Sequence, residues 1–258
     1  MDKILYVRNS DFNTVGANKN HVINMVNAFS KFSKISLLCP AKSKSIIKNN
    51  FNINDKVNIF NLNIGFLSSK IRIFILYFYF LFINKFDYIV TRDTFFVYLY
   101  QIFTNKKNII FEIHDVRSEK IWSFFIKKIF KKLKYMIVIS QGLKDEYVRQ
   151  GFDEKKIIVL HDGVDLSKYN IERNSKKFKL KNSLNNNPVV SYVGTTNKNR
   201  DLETLFSAAK KLPKVNFLIY GSTQNYFSNY NLKNLHFMGY TSIPESIYVN
   251  SDILFAGY

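Results

Sequence analysis

Short apolar runs rich in β-branched and aromatic residues alternate with longer segments of helical periodicity along most of this chain. Each run has the length of a buried strand, and each intervening segment has the length of a helix. In the first part of the chain the runs predict seven strands, at residues 4–7, 35–38, 57–60, 88–90, 109–111, 136–139 and 157–160. Strand–helix alternation of this kind favours an α/β fold, with parallel sheets covered by helices on both faces.

The segments between these strands predict the helices. Their apolar residues recur at a spacing of three or four, which is typical of one buried helical face. The predicted helices are residues 20–32, 67–83, 95–103, 119–133 and 142–150. The first 163 residues are therefore expected to form one doubly wound domain.

A polar segment rich in Lys, Asn and Ser, residues 168–188, interrupts the pattern and predicts a linker or surface loop. The alternation then resumes, which places a second domain at residues 164–258. Its predicted strands and helices are residues 189–193, 202–211, 215–220, 235–237, 243–250 and 253–255. No helix follows the last predicted strand, so this second domain is expected to be incomplete.

The longest apolar stretch, residues 71–83, is shorter than the roughly 20 residues that a membrane span requires, and it carries Arg72. A helix that is apolar on every side is usually buried, which is the interpretation we favour over a helix dipping into a membrane. The opening residues hold too short an apolar run for a secretory signal, which predicts a cytoplasmic protein. The one cysteine, Cys39, excludes an internal disulfide.

The chain carries a formal net charge of +19. A biased genome, an anionic membrane surface and nucleic acid are three explanations that charge alone does not separate. The Lys-rich segment 119–134 is either a core helix with a solvated face or a helix lying on a membrane. Most aromatic residues lie in apolar runs typical of a core, so no nucleic-acid partner is expected.

In an open parallel sheet, ligands bind at the carboxyl ends of the strands, and polar residues follow several predicted strands here. Gly16 precedes a predicted helix, Arg92 and Asp93 follow one strand, and Glu112 and His114 follow the next. A histidine at a strand end can hold a sugar hydroxyl or transfer a proton. The glycine pattern of nicotinamide and flavin sites is absent from the sequence, which disfavours those cofactors.

Five segments resemble, in the same order, sequence blocks of glycosyltransferase family 4. They are Tyr-Ile-Val-Thr-Arg-Asp at 88–93, Phe-Glu-Ile-His-Asp at 111–115, the runs 135–144 and 156–165, and Val-Ser-Tyr-Val-Gly at 190–194 followed by Arg-Asp-Leu-Glu-Thr-Leu at 200–205. The resemblance implies two Rossmann-like domains of the GT-B type. It implies an N-terminal acceptor-binding domain, a C-terminal domain that binds a nucleotide sugar, and transfer with retained configuration and without a metal ion.

The resemblance also implies roles for individual residues. His114 would be the catalytic residue near the donor sugar. The donor, an NDP-sugar that serves as substrate with no cofactor, would contact Gly16, Gly194, Thr195, Lys198 and Arg200. The acceptor, a glycan or a lipid-linked sugar, would contact Arg92, Asp93 and Glu112. A guanidinium at Arg200, where the family has Lys, suits phosphate oxygens.

Two departures from the family pattern matter. Thr195 stands where the family usually has Arg, and the family's pair of Glu residues would lie beyond Tyr258. Glu245 precedes the last predicted strand and does not replace that pair. The alternatives are therefore a catalytically impaired fragment or a partner-dependent acceptor-binding module, with a basic nucleic-acid binder as a third and less favoured one. The expected location is cytoplasmic, with peripheral attachment to the inner face of the membrane left open.

Overall fold

The computed structural model describes residues 1–82, 86–104, 108–116, 120–130, 133, 135–196, 200–221 and 230–257. The chain divides into two compact units, Met1–Val164 and Asp165–Tyr258. Each unit has its own parallel sheet, so both are α/β structures, as the alternation of strands and helices predicts.

The first unit contains a seven-stranded sheet in the order β3-β2-β1-β4-β5-β6-β7, with every neighbouring pair parallel. The strands are β1 (Lys3–Val7), β2 (Lys34–Pro40), β3 (Asn58–Leu62), β4 (Tyr88–Thr91), β5 (Ile109–Ile113), β6 (Met136–Val138) and β7 (Ile157–Val159). The order reverses between β1 and β4, and such a switch point is where open α/β sheets bind ligands.

Helices cover both faces of this sheet. They are α1 (Ala17–Phe29), α2 (Lys44–Asn50), α3 (Ser69–Phe82), α4 (Thr94–Phe103), α5 (Lys120–Phe130) and α6 (Gln141–Arg149). Residues of α1 and α2 belong to one buried cluster, and residues of α3, α4, α5 and α6 belong to another. The unit is therefore doubly wound, with one core on each side of the sheet.

Helix α3 is buried on one side only. Leu76, Tyr77 and Phe80 pack into the core, while the opposite side is open to solvent. The interpretation of this stretch as a helix buried all round is thus wrong, because the helix lies in the outer layer of the unit. Over the described ranges, none of the helices combines the length and the apolar character needed to cross a bilayer.

The second unit contains a four-stranded parallel sheet in the order β10-β9-β8-β11. Its elements are α7 (Ser175–Lys181), β8 (Val189–Val193), α8 (Leu202–Lys211), β9 (Asn216–Tyr220), β10 (Leu235–Gly239), α9 (Pro244–Asn250) and β11 (Ile253–Leu254). One core cluster gathers around Leu202, Leu205 and Phe206 of α8, and a second surrounds Phe178 of α7.

Helices α2 and α7 correct the sequence interpretation, which contains neither. Helix α7 falls inside the segment predicted to be a linker, where Phe178 packs into the core and Asn174 caps the helix by accepting from the Lys177 amide. Helix α2 is capped in the same way by Ser43. Each helix buries a single side chain, Ile47 in α2 and Phe178 in α7, so neither shows a periodic apolar pattern.

Candidate active site

The parallel register of β1, β4 and β5 brings three polar residues to one edge of the first sheet. Val7, Thr91 and Phe111 are partners across these strands. The next residue along each strand is Arg8, Arg92 or Glu112, and these lie at the carboxyl end, beside the switch point. Glu112 and His114 are two residues apart and leave the strand on the same face, the one that α1 covers.

A buried carboxylate joins two histidines at this edge. Glu112, whose side chain is 5% exposed, contacts His21 of α1 at 3.0 Å (Oε1 to Nε2), and the same oxygen lies hydrogen-bonded to Nε2 of His114. The two imidazole rings meet edge to face, with centroids 5.0 Å apart. Glu112 is hydrogen-bonded to both imidazole rings, and one of the rings belongs to α1. The orientation of the two rings is therefore fixed before a ligand binds.

The remaining groups around Glu112 complete a polar cluster. Arg92 Nε lies 3.9 Å from Glu112 Oε1, and the Tyr6 hydroxyl donates to Glu112 Oε2 at 3.5 Å. Asp162, in the loop after β7, lies 3.6 Å from His21 Nδ1 and 4.0 Å from His114 Nδ1. Asp162 is half exposed, so it forms the open side of the cluster.

The charge state of Glu112 determines which nitrogen of each histidine carries a proton. Burial by itself raises the pKa of Glu112, but the hydrogen bonds from His114 and His21 and their charge lower it to about 2. Glu112 is therefore ionised at neutral pH and accepts from the Nε2–H of both rings. Nδ1 of His114 then points to the exposed side, where it can accept or donate a hydrogen bond according to the charge of the ring.

The four side chains of this cluster are also of the kinds that ligate metal ions. One ligand atom from each of His21, Glu112, His114 and Asp162 lies within 4.8 Å of the others. The hydrogen bonds already use the two Nε2 atoms, so an ion bound through those atoms would have to displace the contacts with Glu112. The expectation of a reaction without metal stays a prediction.

Asp93 ties the ends of β1 and β4 together. Its Oδ1 accepts from Arg8 Nη1 at 3.0 Å, and its Oδ2 accepts from the Asn9 amide at 2.7 Å. Asp93 also occupies the N-cap position of α4 without a side-chain cap bond. Both carboxylate oxygens thus hold the loop in place, and the predicted contact of Asp93 with an acceptor stays a prediction.

The loop between β1 and α1 contains Gly16, which is the N-cap residue of α1 and has an extended backbone. The nearby Lys19 is buried, and its amine donates to the Asp11 carbonyl at 3.0 Å and to Thr14 Oγ1 at 2.6 Å. Burial lowers the pKa of Lys19 from its usual value. Lys19 therefore stabilises the loop from its buried side. Gly16, at the start of α1, has no side chain that would cover the loop backbone.

In the second unit, the predicted donor-binding residues follow β8. Gly194 and Thr195 come directly after the strand, and Arg200 lies just before α8, where it donates to the Gly257 carbonyl at 3.4 Å. The Tyr192 hydroxyl donates to the Thr195 carbonyl at 2.7 Å, which fixes the turn. Lys198, also predicted to bind the donor, lies outside the described residues.

The N-terminus of α8 is already occupied by carboxylates. Asp201 caps the helix by accepting from the Thr204 amide, and Glu203 lies in the first turn and accepts from the Tyr230 hydroxyl. Carboxylates here compete with an anionic ligand for the helix dipole and its free amides. A diphosphate at this strand end would therefore depend on Arg200 and the loop backbone more than on the helix.

Two glycines let the ends of β8 and β9 approach each other closely. A Cβ atom on Gly221 would lie 2.0 Å from the carbonyl oxygen of Gly194. A Cβ atom on Gly194 would lie 2.7 Å from the Tyr192 hydroxyl. A backbone carbonyl thus leaves no room for a side chain at Gly221, and the Tyr192 side chain occupies that space at Gly194.

Replacing Gly221 with alanine is expected to lower the free energy of unfolding of the second unit by about 1–3 kcal/mol or more, because a backbone oxygen must move to admit the methyl group. The control is Gly142→Ala in α6, where no atom lies within 4 Å of the added Cβ, and where alanine favours the helix by up to about 1 kcal/mol. Chemical denaturation of both variants measures the difference. Equal stability of Gly221→Ala and the wild type would contradict the close approach.

The structure brings His114, Arg92 and Glu112 together, as residues at neighbouring strand ends should be. It adds His21 and Asp162, which the sequence interpretation leaves out. His21 lies in the helix after the Gly16 loop, and Asp162 lies in the His-Asp-Gly run after β7. The position of Asp162 after a strand was an available signal, but His21 lies inside a helix, and only the contacts with Glu112 and His114 single out both residues.

Comparison with known proteins supports a family assignment. The family model described as Glycosyltransferase Family 4 matches residues 19–168, which is more than half of the chain. An uncharacterized glycosyltransferase of Methanocaldococcus jannaschii is 29% identical over 147 residues, which cover 50% of this chain and 37% of that protein. The matched segment thus spans little more than a third of that relative.

Solved structures show the same fold over nearly the whole chain. HepE of Anabaena, in complex with UDP and glucose, superposes with a TM-score of 0.71 at 14% identity, covering 98% of this chain and 73% of that one. Sucrose-phosphate synthase of Thermosynechococcus elongatus gives a TM-score of 0.76 at 14% identity, covering 98% and 75%. With the family match across the strand ends that carry Glu112 and His114, the chain belongs to glycosyltransferase family 4.

Proposed function

We propose that this protein transfers a sugar from a nucleoside-diphosphate sugar to a glycan or lipid-linked acceptor, with retention of anomeric configuration. The observation that carries the proposal is the His114 imidazole, held by the buried Glu112 carboxylate at the strand-end edge of a family 4 chain. A fixed imidazole at that edge can bind a hydroxyl of the transferred sugar through Nδ1, the atom that Glu112 does not use.

The second unit would bind the donor. The backbone of Gly194 and Thr195, together with Arg200 and Lys198, would contact the diphosphate. As the bond to the sugar breaks, negative charge grows on the leaving nucleoside diphosphate, and a guanidinium stabilises that charge through paired N–H donors. Cations can supply this stabilisation without a metal ion. The donor contact predicted for Gly16, at the start of α1, stays a prediction.

The acceptor would bind to the first unit near Arg92. This guanidinium lies beside Glu112 and can donate to a hydroxyl or an anionic group of an acceptor. Asp93 and Glu112 would support that contact by holding the loop and the two histidines in place. The acceptor that we propose is attached to a lipid or a growing polysaccharide, and the location that we propose for the protein is the cytoplasmic face of a membrane.

HepE, which was solved with UDP and glucose, makes UDP-glucose the first donor to test. Isothermal titration of UDP-glucose into the purified protein, in buffer with EDTA, is expected to show binding to the wild type. Arg200→Ala is expected to weaken that binding roughly tenfold to a hundredfold, because a hydrogen bond to a charged group is lost. Transfer is then measured with the same preparation and lipid-linked glycan acceptors.

The matched control is Arg173→Ala. Arg173 belongs to the same unit but pairs with Asp252, which accepts from the Val189 amide at the amino end of β8. This variant should bind the donor as the wild type does. Equal loss in both variants, or no binding of any nucleotide sugar, would contradict the proposal. Donor binding without transfer would instead favour the alternative of a catalytically impaired chain.

A further inference from the structure

Helix α3 presents an apolar surface that the core of the unit does not use. Ile71, Phe74, Phe78 and Leu81 are 50%, 41%, 56% and 40% exposed. Their spacing of three and four residues places them in one stripe along the helix, opposite the buried Leu76 and Phe80. We call these four residues the α3 ridge. Single exposed apolar residues are common, but a continuous stripe of this kind marks an interaction surface.

The ridge continues across α4 to α5 through contacts between side chains. Phe74 of the ridge packs against Phe95 of α4 with ring centroids 5.2 Å apart, and Phe95 stacks on Tyr98 at 6.2 Å. Lys128 of α5 lies over the Tyr98 ring at 5.9 Å. Lys127 and Lys128 are both exposed. An apolar stripe is thus connected to a cationic one on the outer side of one helical layer.

The charged residues of α3, α4 and α5 all have one sign. Within their observed bounds, the helices α3, α4 and α5 together contain five Lys and Arg residues and no Asp or Glu. Two such surfaces would repel each other, and the whole chain carries +19, so a second copy is a poor occupant. An anionic bilayer has the complementary charge and accepts apolar side chains below its headgroups.

We propose that the outer side of α3, α4 and α5 docks this protein on an anionic lipid surface, with the α3 ridge inserted below the headgroups and Lys127 and Lys128 among them. A helix lying in the interface buries its apolar side about 5–10 Å deep. This inference rests on the proposed membrane location and names the surface of the protein that contacts the lipid. It does not depend on donor binding or sugar transfer.

Vesicle flotation tests the inference with the full chain and without donor or acceptor. The protein is expected to float with vesicles of phosphatidylcholine mixed with phosphatidylglycerol, and much less with phosphatidylcholine alone. The double variant Ile71→Ser/Phe78→Ser should lower the partition coefficient roughly tenfold or more, because two apolar side chains no longer leave water. Lys127→Gln/Lys128→Gln should lower it roughly tenfold on anionic vesicles, and added salt should reduce the difference.

Each variant has a control of matched chemistry. Phe32→Ser/Leu212→Ser removes a phenylalanine and an aliphatic residue that are 79% and 51% exposed outside this layer. Lys210→Gln/Lys211→Gln removes two adjacent cations from the last turn of α8. Both controls should float as the wild type does. Circular dichroism checks that all variants are folded.

Equal flotation of the ridge variant and the wild type would overturn the inference. An equal loss of flotation in a variant and in its matched control would overturn it as well. A dimer that the ridge substitutions dissociate, without vesicle binding, would overturn it in favour of a second copy. His114→Ala should float unchanged. Flotation by a chain that binds no nucleotide sugar would therefore disprove the proposed function and leave this inference standing.

Discussion

Replacing His114 with alanine is expected to lower kcat for sugar transfer by about a hundredfold or more, with little change in donor affinity. A positioned group that exchanges a proton or a strengthening hydrogen bond with the reacting sugar contributes a factor of about 10²–10⁴. His114 is suited to this because Glu112 and His21 fix its ring while Nδ1 faces the open side of the cluster. Steady-state transfer from a nucleotide sugar measures the effect.

The control for this prediction is another histidine near a strand end. His161 hydrogen-bonds through Nδ1 to the Ile139 carbonyl at 2.9 Å and takes no part in the cluster around Glu112. His161→Ala is expected to retain kcat within a few-fold of the wild type. Equal kcat for His114→Ala and His161→Ala would show that the imidazole at position 114 has no part in the reaction.

Replacing Glu112 with glutamine is expected to lower the free energy of unfolding at pH 7 by on the order of 3 kcal/mol. The pKa of this carboxyl is about 2 in the folded protein, against 4.5 for an ordinary Glu. Each unit of difference corresponds to about 1.4 kcal/mol of preference for the charged form in the fold. The amide keeps the shape of the side chain but loses the charge that attracts both histidines.

The pH dependence of this contribution has a definite sign. A lowered pKa means that the unfolded chain takes up a proton first as the pH falls. The contribution of Glu112 is therefore complete above pH 4.5 and is lost progressively as the pH falls towards 2. The difference in stability between the wild type and Glu112→Gln should shrink over that window, as measured by chemical denaturation at a series of pH values.

Glu154→Gln is the matched control, because Glu154 pairs with Lys144 at 3.1 Å on the surface, where its side chain is 67% exposed. Exposed ion pairs contribute about 0–1 kcal/mol, so this substitution should have little effect at any pH. A stability difference for Glu112→Gln that stays constant from pH 7 to acid would mean that packing, and not charge, explains the loss.

The alternation of apolar runs predicted the α/β fold, because burial on both faces forces a parallel strand to be apolar along its length. The predicted strand at 189–193 and the predicted helix at 202–211 have the observed bounds. The longer helices were predicted from apolar residues that repeat along a buried face. The short helices α2 and α7 were missed because they lack such a repeat. A helix that buries one side chain produces no repeating pattern.

The candidate site was predictable to the extent that it follows strands. Arg92 and His114 follow neighbouring strands of a parallel sheet, and Glu112 is the next-to-last residue of one of them, so their proximity is a consequence of the fold class. His21 is not predictable in this way, because it lies within α1 and meets Glu112 across 91 positions of sequence. Such a contact depends on the order of strands in the sheet and on how α1 packs against them.

By itself, the sequence of this protein determined the strands and the longer helices, and which polar residues end the strands, because these follow from the local spacing of apolar positions. Only the tertiary structure decided that His21 and Asp162 join Glu112 and His114, and that the ridge of α3 faces outward. Those outcomes depend on contacts between segments far apart in the chain, and local spacing does not encode which segments will meet.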